Sequence, residues 1–122
     1  MLSKRLKYLR KKKGLSQQNM ADFLGISRQG YGKYEDGKSE PDNKSLVKLA
    51  KYFGVSTDWL LGRDEEDAEE QERIDMIDKI ISITDKYPDM GLAFNDLFNM
   101  DAKDLKEVYE FIKYKVYTKK GD

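Results

Sequence analysis

The side chains able to do chemistry in this chain are carboxylates, lysines, arginines, hydroxyls and amides, because it contains no cysteine and no histidine. A thiolate nucleophile, an imidazole base, a disulfide and a zinc site of the usual ligands are therefore excluded. Carboxylates remain for acid–base work or for Mg²⁺, yet no spaced set among them resembles a site. The densest group is Asp64, Glu65, Glu66, Asp67, Glu69, Glu70 and Glu72. It lacks the alternating ligands and the glycine of a calcium loop. No catalytic residue, metal ligand or cofactor is assigned, and an enzyme is the weakest reading.

What is left is charge and hydrogen-bonding capacity, and charge is unevenly spread. The 122 residues are 38% charged and 39% hydrophobic, with enough Leu, Ile and Tyr for a packed core, so disorder throughout is not expected. The net charge is zero, but residues 1–62 hold 13 Lys/Arg against 6 Asp/Glu (+7), and residues 63–122 hold 10 against 17 (−7). Such asymmetry implies one half that meets a polyanion and one that does not. No apolar run is long enough for a secretory or membrane-spanning segment, so a cytoplasmic protein without a membrane partner is expected.

The elements that must position these side chains read as short capped helices. Leu2, Leu6 and Leu9 recur at helical spacing, and Gly14 stops that helix. Ser16 caps a second helix, Gln17 to Leu24, and Gly25 suits a left-handed residue at its end. Ser27 caps a third, Arg28 to Asp36, followed by a loop from Gly37 to Pro41. Asp42 or Asn43 caps a fourth, with Leu46, Val47, Leu49, Ala50 and Phe53 inward; Gly54 ends it. Ser56 caps a short fifth helix holding Trp59, Leu60 and Leu61. The second and third helices, joined by so short a turn, need a small residue at their crossing and a turn residue tolerant of positive φ. Ala21 and Gly25 supply these, with Met20, Leu24, Ile26, Tyr31 and Tyr34 as apolar anchors.

The stretch Gln17 to Asp36 resembles the helix-turn-helix of the phage repressor and Cro-like (XRE) family. The likeness runs from about Leu2 to Gly62 through GLSQ (14–17), LGIS (24–27), KYEDGKSEP (33–41) and LAKYFGVSTDWLLG (49–62). It implies an all-α fold: a five-helix lambda-repressor-like DNA-binding domain over 1–62 whose third helix enters the DNA major groove. Carried over by position, Gln17 would hold the DNA backbone, while Ser27, Arg28 and Gln29 would reach base edges or adjacent phosphates. Lys33 would be a second reader, and Lys38, Asn43 and Lys44 would flank phosphates. Arg10 and Glu35 match a structural pair tying the first helix to the third. Tyr31, larger than the aliphatic residue usual at its position, is expected to lay its ring partly at the DNA backbone. Independently, Arg can pair with guanine O6 and N7 and Gln with adenine N6 and N7, while helix N-termini suit phosphate. Gly30 and Gly32 depart from the family pattern and should each cost about 1 kcal/mol relative to Ala, giving a pliable third helix.

Residues 63–73 read as an acidic linker or hinge continuing into a helix. In the remainder, 74–122, Ile74, Ile77 and Ile81 form one stripe, and Met76, Ile80, Ile83 and Tyr87 another nearly opposite. Pro88 to Gly91 breaks that helix, and a short segment with Leu92, Phe94, Leu97, Phe98 and Met100 follows. Asp101 then caps a last helix with a stripe of Leu105, Val108, Tyr109, Ile112 and Val116; Phe111, Tyr114 and Tyr117 lie off it. So small a unit is marginal alone. We therefore expect a helical dimerisation element pairing through Ile77, Ile81, Leu105, Val108, Tyr109, Ile112 and Val116, the alternative being that it folds back on the first half. Residues 100–114 also resemble, weakly, tails of mobile-element repressors. Together these features imply a repressor, dimeric or a higher homo-oligomer, that binds double-stranded DNA at a palindromic operator. Its release would come from an anti-repressor protein or an outside protease. An autoregulating antitoxin of a toxin–antitoxin pair remains the alternative.

Overall fold

The computed structural model describes residues 2–63, 68–86 and 94–120. Among them are eight helices and no strand: α1 (Leu2–Lys12), α2 (Gln17–Leu24), α3 (Arg28–Glu35), α4 (Asn43–Phe53), α5 (Thr57–Leu60), α6 (Ala68–Thr84), α7 (Phe94–Leu97) and α8 (Ala102–Lys120). The chain divides into two compact units, Met1–Glu66 and Asp67–Asp122.

Each helix start in the first unit after α1 is fixed by a local hydrogen bond. Ser16 Oγ accepts from Asn19 N at 3.0 Å while Asn19 Oδ1 accepts from Ser16 N at 2.9 Å, a reciprocal capping box. Ser27 Oγ accepts from Gly30 N (3.0 Å), and Ser56 Oγ accepts from Trp59 N (2.9 Å). Between Asp42 and Asn43, the cap is Asp42, whose carboxylate accepts from Ser45 N at 2.7 Å. That bond lowers the Asp42 pKa. The stabilisation of α4 is accordingly present above the ordinary carboxylate range and lost on acidification.

The turn between α2 and α3 closes around Ala21, which is fully buried. Its carbonyl accepts from Ile26 N at 3.0 Å, and Asp22 O accepts from Gly25 N at 3.2 Å. Gly25 adopts φ +70°, with open space where a Cβ would stand, so the requirement for glycine there is conformational. Leu6, Leu9, Met20, Tyr31, Leu49 and Leu60 complete this core. Val47, expected inward, is 43% exposed. Leu46, Leu49, Ala50 and Phe53 share one stripe of α4, and Val47 is turned about 100° from it.

Basic side chains also serve as structure here. Lys48 Nζ donates to Phe23 O at the end of α2 (2.9 Å) and lies over the Phe23 ring. Lys13 Nζ donates to Tyr52 O near the end of α4 (3.4 Å) and lies over the Tyr52 ring. Both place positive charge at a helix C-terminus, where the dipole favours it. Arg5 is buried, donates to Trp59 O at 2.7 Å and stacks on the Trp59 ring, which puts Trp59 in structural use.

In the second unit α6 packs on α8. Helix starts at Ala68, so the later part of the expected 63–73 linker is the first turns of α6. Glu69 and Glu70 stand there in the first turn, where negative charge is favourable. Ile74, Ile77, Ile80 and Ile81 are all fully buried, so Ile80 joins the first stripe instead of forming an opposite one. Arg73 closes the α7–α8 turn, Nε donating to Met100 O (2.8 Å) and Nη2 to Phe98 O (2.7 Å). Asp101 caps α8 as expected, accepting from Asp104 N at 2.8 Å. Tyr87, Pro88 to Gly91 and Leu92 lie outside the described residues, as do the side chains of Phe94 and Tyr117.

The residues of the expected dimer stripe are partly taken up by packing within the chain. Ile77, Ile81, Leu105 and Ile112 are buried inside one chain, and Val108, Tyr109 and Val116 are half-buried. In this packing Ile77, Ile81, Leu105 and Ile112 spend their apolar surface where α6 meets α8, while Val108, Tyr109 and Val116 keep part of theirs exposed. Replacing Gly25 by Ala should cost about 1–2 kcal/mol, the penalty of a left-handed L-residue, read as a lowered melting temperature. An unchanged melting temperature would contradict the turn geometry.

Candidate nucleic-acid interface

The arrangement starts from a buried ion pair. Arg10 of α1 donates from Nε to Glu35 Oε2 at 2.6 Å and from Nη2 to Glu35 Oε1 at 2.9 Å. Its Nη1 donates to Leu15 O at 2.9 Å, so the guanidinium also holds the α1–α2 connection. Both side chains are buried. A bidentate pair in that setting fixes distance and direction together. Gln17, the first residue of α2, adds a third tie: its Nε2 donates to Glu35 Oε1 at 3.2 Å. Thus α1, α2 and α3 converge on one carboxylate.

Tyr31 shows which face of α3 this locks inward. It stands four residues before Glu35, hence on the same face, and is 0% exposed. The expectation that its ring lies at a DNA backbone is overturned; it is core. Its hydroxyl is buried against the Glu35–Arg10 pair and makes no hydrogen bond of good geometry. Burial, and after it the negative charge of Glu35, pushes the phenol pKa up, so it stays neutral. The sequence held the signal, since an inward Glu35 dictates an inward residue four positions earlier.

The other side of α3 faces solvent. Ser27, Arg28, Gln29 and Lys33 are exposed, and Gln29 and Lys33, four apart, share a strip. Ser27 sits at the cap, and Arg28 and Gln29 occupy the first turn. Lys38 is exposed in the loop after α3, its N–H donating to Lys33 O at 2.9 Å. Asn43 and Lys44 are exposed in the first turn of α4. Gln17 is half-buried, its amide already engaged by Glu35, so part of its hydrogen-bonding capacity is spent within the domain.

The two glycines of α3 are accommodated within a regular helix. A Cβ at Gly30 would lie 3.2 Å from the capping Ser27 Oγ, whereas at Gly32 it would meet Gln17 Oε1 at an ordinary 3.7 Å. Gly30 thus leaves room for the cap.

A helix-turn-helix family model (HTH_3) matches residues 6–60, which holds α2, α3 and the whole ion-pair network. The chain is 43% identical over 54 residues to the HTH-type transcriptional regulator MJ0272 of Methanocaldococcus jannaschii, covering 44% of this chain and 82% of that protein. The chain belongs to the helix-turn-helix family of transcriptional regulators. It is 67% identical over 61 residues to YonR, an SPbeta prophage-derived HTH-type transcriptional regulator of Bacillus subtilis, covering 50% of this chain and 56% of YonR. It is 42% identical over 62 residues to RstR, the cryptic phage CTXphi transcriptional repressor of Vibrio cholerae, covering 51% and 55%. The chain therefore spans a little over half the length of these two relatives. Helix-turn-helix transcriptional regulators bind DNA and form a non-enzymatic family. No helix among the described residues is long and apolar enough to cross a membrane.

Glu35→Ala leaves the buried Arg10 charge without its carboxylate and should cost about 3–5 kcal/mol, whereas replacing both partners by apolar residues of similar volume should recover most of the loss. Urea unfolding measures both, and equal losses in single and double variants would count against the pair's role. Tyr31→Phe removes a buried hydroxyl that makes no hydrogen bond of good geometry, so stability should change by less than about 1 kcal/mol. A clear loss in thermal melting would contradict this.

Proposed function

We propose that the protein is a repressor of phage or mobile-element type that binds a palindromic operator as a homodimer. The carrying observation is that α3 is locked on its inner face by Arg10, Glu35, Gln17 and Tyr31, while Ser27, Arg28 and Gln29 stand exposed at its leading end. An exposed helix end whose inner face is anchored in this way suits insertion into a major groove. Arg28 and Gln29 are the base readers in this reading, matching guanine and adenine edges. Lys33 adds a contact one turn on, and Ser27, Lys38, Asn43 and Lys44 position the domain on phosphates. The prophage origin of YonR and the repressor role of RstR support the regulatory context.

Pairing follows from the arithmetic of half-sites. One small helix-turn-helix domain contacts few base pairs, and two linked copies about 34 Å apart read a palindrome with far greater affinity than either alone. Occupancy of a promoter then excludes RNA polymerase.

A mobility shift and footprint with DNA from upstream of the protein's own gene tests the reading. Arg28→Ala or Gln29→Ala should each cost about 1–3 kcal/mol and relax specificity at one base pair per half-site. Lys44→Ala should weaken all sequences alike and reduce the salt slope by about one unit. No shift at low salt, or unchanged specificity in both α3 variants, would contradict the proposal.

A further inference from the structure

Helix α8 is sealed on one face, where Leu105 and Ile112 are buried, and keeps two large rings on the other. Phe111 is 60% exposed and Tyr114 65%. Three residues apart, they form one strip of helix surface turned away from the buried stripe. We infer that this strip is where two copies of the chain meet, their α8 helices lying parallel with Phe111 and Tyr114 in the seam. The inference rests on the dimeric reading above and supplies its surface.

Charge favours a second copy over another occupant. Glu110 and Lys115 flank the ring pair on opposite sides. Across a parallel seam the acid of one helix faces the base five residues on in the other, and symmetry makes the contact twice. Neither group is committed elsewhere by a strong bond: Glu110 touches Lys113 only at 3.8 Å with both side chains exposed, and Lys115 Nζ lies 5.4 Å from the Phe111 ring centre. Antiparallel helices would set like flanks against each other and lose both pairs.

Area and charge together set the strength. Four rings exposed to this degree amount to roughly 500 Å² of aromatic surface. That is short of the ~1,000 Å² expected of a stable interface, so the free dimer is weak and reversible. Glu107, one turn before Phe111, falls in the same seam and would meet its own counterpart, which ends the contact there. Two half-sites on one duplex would hold such a pair together.

Sedimentation equilibrium of the full chain, with and without operator DNA, tests this. The wild-type chain should be a reversible dimer. Phe111→Ala with Tyr114→Ala should raise the dissociation constant about 100-fold, with the helicity of dilute protein kept, because both residues are exposed. Glu110→Lys should weaken the dimer, and adding Lys115→Glu should restore it. A dimer that survives loss of both rings, or a charge swap that restores nothing, overturns the inference and leaves the dimeric reading standing. A wild-type chain that stays monomeric even on a palindromic duplex overturns both.

Discussion

The first unit depends on one buried carboxylate. Glu35 receives two bonds from Arg10 and one from Gln17, and so determines the mutual placement of α1, α2 and α3. Removing one partner of such a pair costs about 3–5 kcal/mol, a large fraction of the 5–15 kcal/mol that holds a small domain together. The pair's value lies in direction more than in net stability, since a hydrophobic substitute of the same shape would stabilise as well. It turns Tyr31 inward, and by the same rotation it turns Gln29 and Lys33 outward.

The distribution of positive charge follows from this division. Arg5, Arg10, Lys13 and Lys48 spend their charge within the fold, on carbonyls, rings and one carboxylate. Arg28, Lys33, Lys38 and Lys44 remain exposed. The excess positive charge of the first half is therefore larger than the charge free to meet a polyanion. Four exposed cations lie on α3, its following loop and the start of α4, and Lys4, Lys12 and Lys51 are exposed elsewhere. The acidic second half keeps its apolar surface for α6 against α8, with the rings of Phe111 and Tyr114 left outside.

Much of the first unit was legible in the sequence because its signals are local. Ser16, Ser27 and Ser56 each cap the helix that follows them, and Gly25 and Gly54 each end one with a left-handed residue. The Arg10–Glu35 pair came from the family resemblance, and its geometry agrees. Less legible were features that depend on what covers a face. The apolar stripe of α8 was clear, but periodicity does not say whether its partner is another helix of the same chain or of a second one. Arg73 left no sequence signal because its partners are backbone carbonyls. Tyr31 was misplaced by weighing its size against the family pattern without its register relative to Glu35.

The account therefore stands on an exposed helix end oriented by a buried pair. An amide-resolved NMR titration of the full chain with its operator duplex tests that most directly. The signals of residues 27–33, with those of Gln17, Lys38, Asn43 and Lys44, should shift or broaden first, while the core amides around Leu6 and Leu49 stay in place. Perturbations centred on α5 or α8, with the α3 signals unmoved, would contradict it.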